Sequence, residues 1–205
     1  MQHSLTSGVD VSRETIEALE HFSALLEKWT LKINLISKAT VPNLWHRHIL
    51  DSAQLLKLCP NNCYNWLDLG SGGGLPGIVV SIVAKERCPS LHMTLVESDK
   101  RKSVFLKTAI RELGLKATAI NERIEEIRPM KVDVISARAL ADLKHLLDLS
   151  ERHLNENTIC LFQKGENWRK ELSKAEESWH FQYNVIKSET QAGAVLLKLG
   201  EVSRA

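Results

Sequence analysis

The stretch Trp66-Leu67-Asp68-Leu69-Gly70-Ser71-Gly72-Gly73-Gly74-Leu75-Pro76-Gly77 decides the fold. Its apolar opening reads as a short buried strand, its glycines as a tight loop, and Pro76 suits the first turn of a following helix. Gly70, Gly72, Gly73 and Gly74 carry no Cβ, so the chain can turn sharply there and a ligand can approach the backbone. The same texture continues downstream. Strand Asn65 to Leu69 leads to helix Pro76 to Lys85, strand His92 to Glu97, helix Lys100 to Leu113, and strands Ala117 to Asn121 and Val132 to Ala137. Helix Ala141 to Leu154, strand Thr158 to Gln163, helix Asn167 to Trp179, and strands Phe181 to Lys187 and Ala194 to Leu199 complete it. Such alternation predicts an α/β domain with a mostly parallel seven-stranded sheet and helices on both faces. No helix separates the last two strands, so they are expected to form an antiparallel hairpin.

Upstream of the loop the period changes. From Ser12 the residues Ile16, Leu19, Phe22, Leu25, Leu26 and Trp29 recur at helical spacing, with Asp10 or Ser12 as N-cap. A second helical stretch after Pro42 carries Leu44, Trp45, Ile49, Leu55 and Leu56, and ends at the turn Cys59-Pro60-Asn61-Asn62. The expected division is a helical N-terminal extension, residues 1–60, and a ligand-binding domain, residues 61–205. Trp29, Trp45 and His48 are expected to pack one against the other.

Composition sets limits. A chain of 205 residues, 43% hydrophobic, can bury a good-sized core. With 27 Lys plus Arg against 25 Asp plus Glu, the net charge is only +2, so a polyanionic partner needs a local basic patch. No apolar run approaches the roughly 20 residues that span a bilayer. Met1-Gln2-His3-Ser4-Leu5 lacks the charged and then hydrophobic pattern of a leader, so no membrane association and a cytoplasmic location are expected. Four irregularly placed cysteines point to reduced thiols. Cys160 lies in an apolar strand and reads as a packed thiol. Cys59 and Cys63, with His46 and His48, lack a second close pair at zinc-ligand spacing, so no metal is expected.

In an open parallel sheet, ligands bind beyond the carboxyl ends of the strands, where the strand order reverses, and the glycine loop sits there. One register, Gly72-x-Gly74-x-x-Gly77, matches the dinucleotide fingerprint of nicotinamide enzymes. Asp68, two residues before the first glycine, gives instead the Asp-x-Gly-x-Gly-x-Gly form of methyltransferases. It would fix the loop through backbone amides or approach the amino-acid end of S-adenosyl-L-methionine. Glu97, ending the second strand, is placed to accept both ribose hydroxyls. Arg123 and Arg138 each lie just past a strand end on this ligand side.

With these residues in view, the chain resembles the bacterial small-subunit rRNA guanine-N7 methyltransferase G family, also called glucose-inhibited division protein B. The resemblance runs nearly the whole chain. It is carried by Trp29-x-x-x-x-Asn34-Leu35, Arg47-His48-Ile49-Leu50-Asp51-Ser52, and Asp68 to Ile78. Glu97-Ser98-x-Lys100-Arg101, Arg123-Ile124-Glu125-Glu126, Ser136-x-Arg138-Ala139 and Lys164-Gly165 complete the set. It implies the class I, Rossmann-like methyltransferase fold. By the resemblance, Gly70, Leu75, Ile124, Glu125 and Arg138 line the S-adenosyl-L-methionine site together with Glu97. Arg123, Arg138 and Lys164, with Lys100 and Arg101 nearby, would offer positive charge to RNA. The implied substrate is a guanine in the decoding-centre loop of small-subunit rRNA, met as rRNA or within the 30S subunit by a monomeric enzyme. One departure stands out: the family often carries an arginine-containing segment before its last strand, where this chain reads Gln191-Ala192-Gly193-Ala194.

The chemistry agrees with that acceptor. Guanine N7 offers an in-plane lone pair and no proton, so its methylation needs alignment rather than a base, and no catalytic base is assigned. Amino-directed nucleic-acid methyltransferases carry an Asn/Asp-Pro-Pro-aromatic segment where this chain reads Ser136-Ala137-Arg138-Ala139. The alternatives are a nicotinamide-dependent oxidoreductase and a non-catalytic RNA-binding or ribosome-assembly factor on the same fold.

Overall fold

The computed structural model describes residues 3–6 and 9–205. Met1 and Gln2, part of the segment read above for a leader, lie outside the described residues. The chain starts with a small hairpin, β1 (His3–Thr6) and β2 (Val9–Val11), and enters helix α1 (Arg13–Thr30). Ser12 caps α1 by accepting a hydrogen bond from the amide of Thr15. The stretch after Pro42 is not one helix. It comprises a 3-10 segment (Lys38–Asn43), a π turn (Trp45–Leu50), a single α turn α2 (Asp51–Ala53) and a second 3-10 segment (Gln54–Leu58). A wide turn of this kind recurs at functional sites because it redirects side chains that a regular helix would spread around its axis.

The main body follows: β3 (Asn65–Leu69), α3 (Gly77–Arg87), β4 (His92–Val96), α4 (Lys100–Glu112), β5 (Ala117–Ile120) and β6 (Val134–Arg138). It ends with α5 (Leu143–Ser150), β7 (Ile159–Lys164), α6 (Trp168–Glu176), β8 (Trp179–Lys187) and β9 (Val195–Arg204). The strands form one seven-stranded sheet in the order β5-β4-β3-β6-β7-β9-β8. All neighbours up to β7 are parallel, and β9 runs antiparallel to both β7 and β8. The expected hairpin is present, and it is longer than its apolar runs indicate at its open end, where Trp179 pairs with Arg204. Arg204 extends it: its guanidinium lies over the Trp179 ring at 4.1 Å and pairs with Asp148 and Glu151.

The central strands are buried on both faces, which is why they read as continuous apolar runs rather than alternating ones. One core joins α1, α3 and α4 to the sheet, and the other lies under α5 and α6. The N-terminal segment belongs to the first of these. Leu19, Phe22 and Leu26 are fully buried, and Trp29 meets Phe105 of α4 with ring centroids 5.6 Å apart. No helix among the described residues is long and apolar enough to cross a membrane.

Two buried features make stability testable. A Cβ at Gly77 would lie 2.4 Å from Leu95 Cδ2 and 2.8 Å from Asp68 Oδ2, both in wholly buried side chains. Gly77→Ala is therefore expected to cost about 3 kcal/mol, at the upper end for overpacking, and to lower Tm by roughly 6–12 °C. A calorimetric Tm within 2 °C of wild type would contradict this (on the order of half a kcal/mol).

His153 is fully buried, and among the described residues neither ring nitrogen finds a hydrogen-bond partner of normal geometry. Burial first, then the charge of Arg152, pushes its pKa down to about 4, against the Ile124 backbone. His48 is lowered to about 4 by burial and by Arg138. Below its unfolded value near 6.5 each histidine takes up a proton more readily in the unfolded chain, so stability falls with acid until about pH 4. Asp68, raised to about 6 by burial, works the other way, because the folded state favours its protonated form between about pH 6 and 3.8. Two groups outweigh one. Tm should drop between pH 6.5 and 4, and His153→Leu should make that slope shallower while leaving Tm at pH 7 equal or higher. An unchanged slope would refute the assignment.

Candidate active site

Two cavities open where the strand order reverses, each of about 400 Å³. That size falls within the roughly 300–1,000 Å³ of cofactor and substrate clefts. The first lies beyond the carboxyl ends of β3, β4 and β6. Of the residues singled out from the sequence, Gly70, Gly72, Leu75, Glu97, Arg123, Ile124, Glu125 and Arg138 line it.

The loop between β3 and α3 shapes one wall. Gly70 and Gly72 have φ of +62° and +51°, a conformation that side-chain-bearing residues adopt at a cost. A Cβ on Gly70 would also lie 2.5 Å from Leu140 Cδ1, so the loop and the segment after β6 approach each other through that glycine. Glu97 fastens the loop. Its Oε2 accepts from the amide of Gly72 at 2.9 Å and its Oε1 from the amide of Asp99 at 2.7 Å. A carboxylate has about four acceptor positions, so roughly two remain for ribose hydroxyls. The Asn121 side chain donates to the carbonyls of Glu97 and Ser98 and holds the turn that presents the acid.

Asp68 lies behind the cavity and does not line it. It is fully buried; its Oδ1 accepts from the Ser136 hydroxyl at 2.6 Å, and Ser136 in turn accepts from Trp66 Nε1 at 2.8 Å. This chain of bonds joins β3 to β6 beneath the loop. Asp68 therefore braces the loop's foundation, and the partner that enables it, Ser136, was not singled out for that role by sequence reasoning.

The basic residues separate into groups. Arg123 is exposed at the rim beside Glu125, at 3.7 Å, whereas Lys100 and Arg101 are exposed outside the cavity, with Arg101 facing Asp99 at 3.5 Å. Lys102, one residue further along α4, lines it instead. Lys164 is buried: its ammonium lies 2.7 Å from Glu171 and donates to the Ala141 carbonyl at the same distance. It lines the second cavity.

Arg138 borders both cavities. Its guanidinium donates to Asp51 Oδ2 at 3.3 Å, to the Arg47 carbonyl at 3.4 Å and to His48 Nδ1 at 3.0 Å. Because His48 accepts at Nδ1, its proton resides on Nε2 and donates to Thr40 Oγ1, whose own hydroxyl donates to the Ser37 carbonyl. A lowered pKa near 4 keeps that imidazole neutral and able to accept. Asp51 is held from its other side by Gln163, Thr190, Ser188 and Gln54. In the sequence the Arg47-to-Ser52 segment carries only the family resemblance, with His48 expected to pack between the two parts of the chain. The structure places His48 and Asp51 against an arginine about 90 residues away, a pairing that no local spacing encodes.

Cys160 is fully buried in β7 and its thiol is pushed up to about 12, so it supplies no thiolate nucleophile at neutral pH. Ala139, just past β6, has φ +52° and turns the backbone away where the two cavities meet.

Comparison with known proteins fits this geometry. Solved structures with similar folds include a MtNAS mutant in complex with S-adenosylmethionine, with TM-score 0.58, 15% identity, and 92% of this chain and 72% of that one covered. A SAM-dependent methyltransferase from Aquifex aeolicus gives TM-score 0.58 at 14% identity, over 78% of this chain and 93% of that one. The fold is that of the class I methyltransferases. The ribosomal RNA small subunit methyltransferase G of Ruegeria sp. (strain TM1040) is 51% identical over 196 residues, 96% of this chain and 95% of its own. That of Cereibacter sphaeroides (strain ATCC 17029 / ATH 2.4.9) is 51% identical over 199 residues, covering 97% of each. The model of the family described as rRNA small subunit methyltransferase G matches residues 15–195. That match spans the N-terminal turns, the glycine loop and the arginine clamp alike, and the chain belongs to the rRNA small subunit methyltransferase G family.

Proposed function

We propose that this chain transfers the methyl group of S-adenosyl-L-methionine to N7 of a guanine in the decoding-centre loop of small-subunit rRNA, acting as a monomer in the cytoplasm. One observation supports the ring nitrogen as acceptor. The residues that line both cavities are Leu35, Arg138 and Ala139, and none of them can take up a proton at neutral pH. His48 and Asp51, which line the second cavity, are engaged: His48 Nδ1 accepts from Arg138, and both Asp51 oxygens are hydrogen-bonded. An acceptor that loses a proton during transfer would need a base at this junction; guanine N7 does not.

The first cavity fits the cofactor through its paired glycines and the spare acceptor capacity of Glu97. When bound, S-adenosyl-L-methionine supplies an electrophilic methyl on sulfur. Glu97 would hold the ribose, the Gly70–Gly72 turn would admit the amino-acid end close to the backbone, and Ile124 would offer an apolar surface to the base. Arg138 would fix the boundary over which the acceptor approaches, and Arg123 and Lys102 would meet RNA phosphates at the rim. Residues 1–60 then act as an extension of the methyltransferase domain that carries the clamp on Arg138. Tritiated methyl transfer to naked rRNA, 30S subunits and whole ribosomes, with the modified nucleotide mapped by mass spectrometry, tests the reading. Methylation at a carbon or an exocyclic amine, or no transfer to any of the three, would overturn it.

A further inference from the structure

A further cavity, of about 410 Å³, lies beside the second and joins it at Ser188, Gln191, Ala194 and Val195. One wall is the start of α6, with Trp168 and Arg169, and the other is the end of β8, with Val185 and Lys187. Ala192 and Gly193 add backbone and little bulk. The Arg169 guanidinium carbon lies 4.3 Å from the centre of the Trp168 ring, a cation–π contact that holds both side chains in place. Trp168 is half-buried, whereas Arg169 and Lys187 are exposed. The carboxylates of Glu171 and Glu189 are paired with Lys164 and Lys57, and neither Arg169 nor Lys187 has an ion-pair partner among the described residues. Glu166 lies against Gly193 and offsets one of these charges, so the groove stays net positive. The cap of α6, Asn167, makes no side-chain hydrogen bond to the first turn, and the positive end of the helix dipole adds to that field. On the same face of β8, two residues before Val185, Tyr183 is 43% exposed with its ring edge-on to Phe181.

We propose that this groove binds a nucleotide flanking the methylation target, with its base stacked on Trp168 and Arg169 and its phosphate held by Lys187. The proposal rests on the reading above that rRNA approaches the Arg138 boundary, since the groove continues from the cavity there. Every base has a π face, so an aromatic ring with a guanidinium fixed on it accepts a base of any identity. A ribosomal protein would have to match an aromatic plane and two unpaired cations at once, whereas one nucleotide supplies the flat ring and the negative charge together. The site thus adds affinity and holds the strand in register without touching the reacting atoms.

The test compares Kd for naked small-subunit rRNA, by filter binding, with KM and kcat for tritiated methyl transfer to 30S subunits. Trp168→Leu should raise both Kd and KM about tenfold, the loss expected for one stacked base, and leave kcat and the affinity for S-adenosyl-L-methionine unchanged. Trp168→Phe keeps a π face and should stay within about threefold of wild type. Lys187→Gln changes an exposed side chain, and should lower the slope of log Kd against log salt by about 0.7, the value for one phosphate contact on a single strand. Unchanged Kd and KM in Trp168→Leu, equal losses in the Leu and Phe variants, or an unchanged slope in Lys187→Gln would each overturn the proposal. A raised KM on 30S subunits with unchanged Kd for naked rRNA would place a ribosomal protein in the groove instead, and a reduced kcat or weaker cofactor binding would mark a structural role. Where the wild-type enzyme still methylates guanine N7, the functional reading survives each of these failures. Absence of transfer to rRNA in any form removes both.

Discussion

Gly72→Asp abolishes cofactor binding while leaving the protein folded. Gly72 sits at φ +51°, where a side chain costs about 1 kcal/mol, yet a Cβ there would find nothing nearer than the Gly70 carbonyl at 3.8 Å. The substitution therefore fits sterically, and its effect comes from charge. The amide of Gly72 donates to Glu97 Oε2, so an added carboxylate enters a cavity wall already occupied by one. Like charges so close raise each other's pKa and compete for the groups that should hold the ribose. Affinity for S-adenosyl-L-methionine should fall at least about a hundredfold, a charge effect of roughly 3 kcal/mol. Gly72→Asn, which tolerates the left-handed backbone and adds no charge, should lose about tenfold or less. Calorimetric titration of both variants decides the matter. Equal losses would assign the effect to shape instead.

Arg138→Met should reduce kcat about a hundredfold, because the boundary between the two cavities loses its fixed side chain and a small misplacement costs that much. The arginine and Asp51 side chains are each only 17% exposed, so removal of one partner also leaves a charge poorly compensated. Gln163 and Thr190 still hold Asp51, which limits the stability loss to about 2 kcal/mol and the drop in Tm to roughly 4–8 °C. Arg138→Lys separates the two effects. It keeps the positive charge but cannot serve His48, Asp51 and the Arg47 carbonyl together, so stability should largely return while kcat stays low. Recovery of full activity in that variant would show that charge alone suffices.

The parts legible in the sequence were those with short-range signals. Strands buried on both faces produce apolar runs, amphipathic helices produce a 3.6-residue period, and the positive-φ turn demands glycine. Hence β3 was delimited to the residue, and α4 came within one. The hairpin of β1 and β2 was missed because strands of four and three residues carry too little pattern, and residues up to Pro60 were read as wholly helical. The stretch after Pro42 carries a helical period and forms a broken series of turns, because Arg138, Gln163 of β7 and the segment between β8 and β9, with Ser188 and Thr190, hold His48 and Asp51.

The sequence by itself determined the α/β architecture, the glycine loop with Glu97 beyond it, and the family, since each resides in contiguous residues whose order is preserved on folding. Only the tertiary structure decided what each charged group does. It set Asp68 under the loop with Ser136, committed Lys164 to Glu171, left Arg101 outside the cavity and clamped Arg138 between residues of the N-terminal turns. The physical reason is that burial and pairing, which fix whether a charge faces a ligand or a neighbour, depend on groups brought together from as far as 139 residues apart, as Asp51 and Thr190 are.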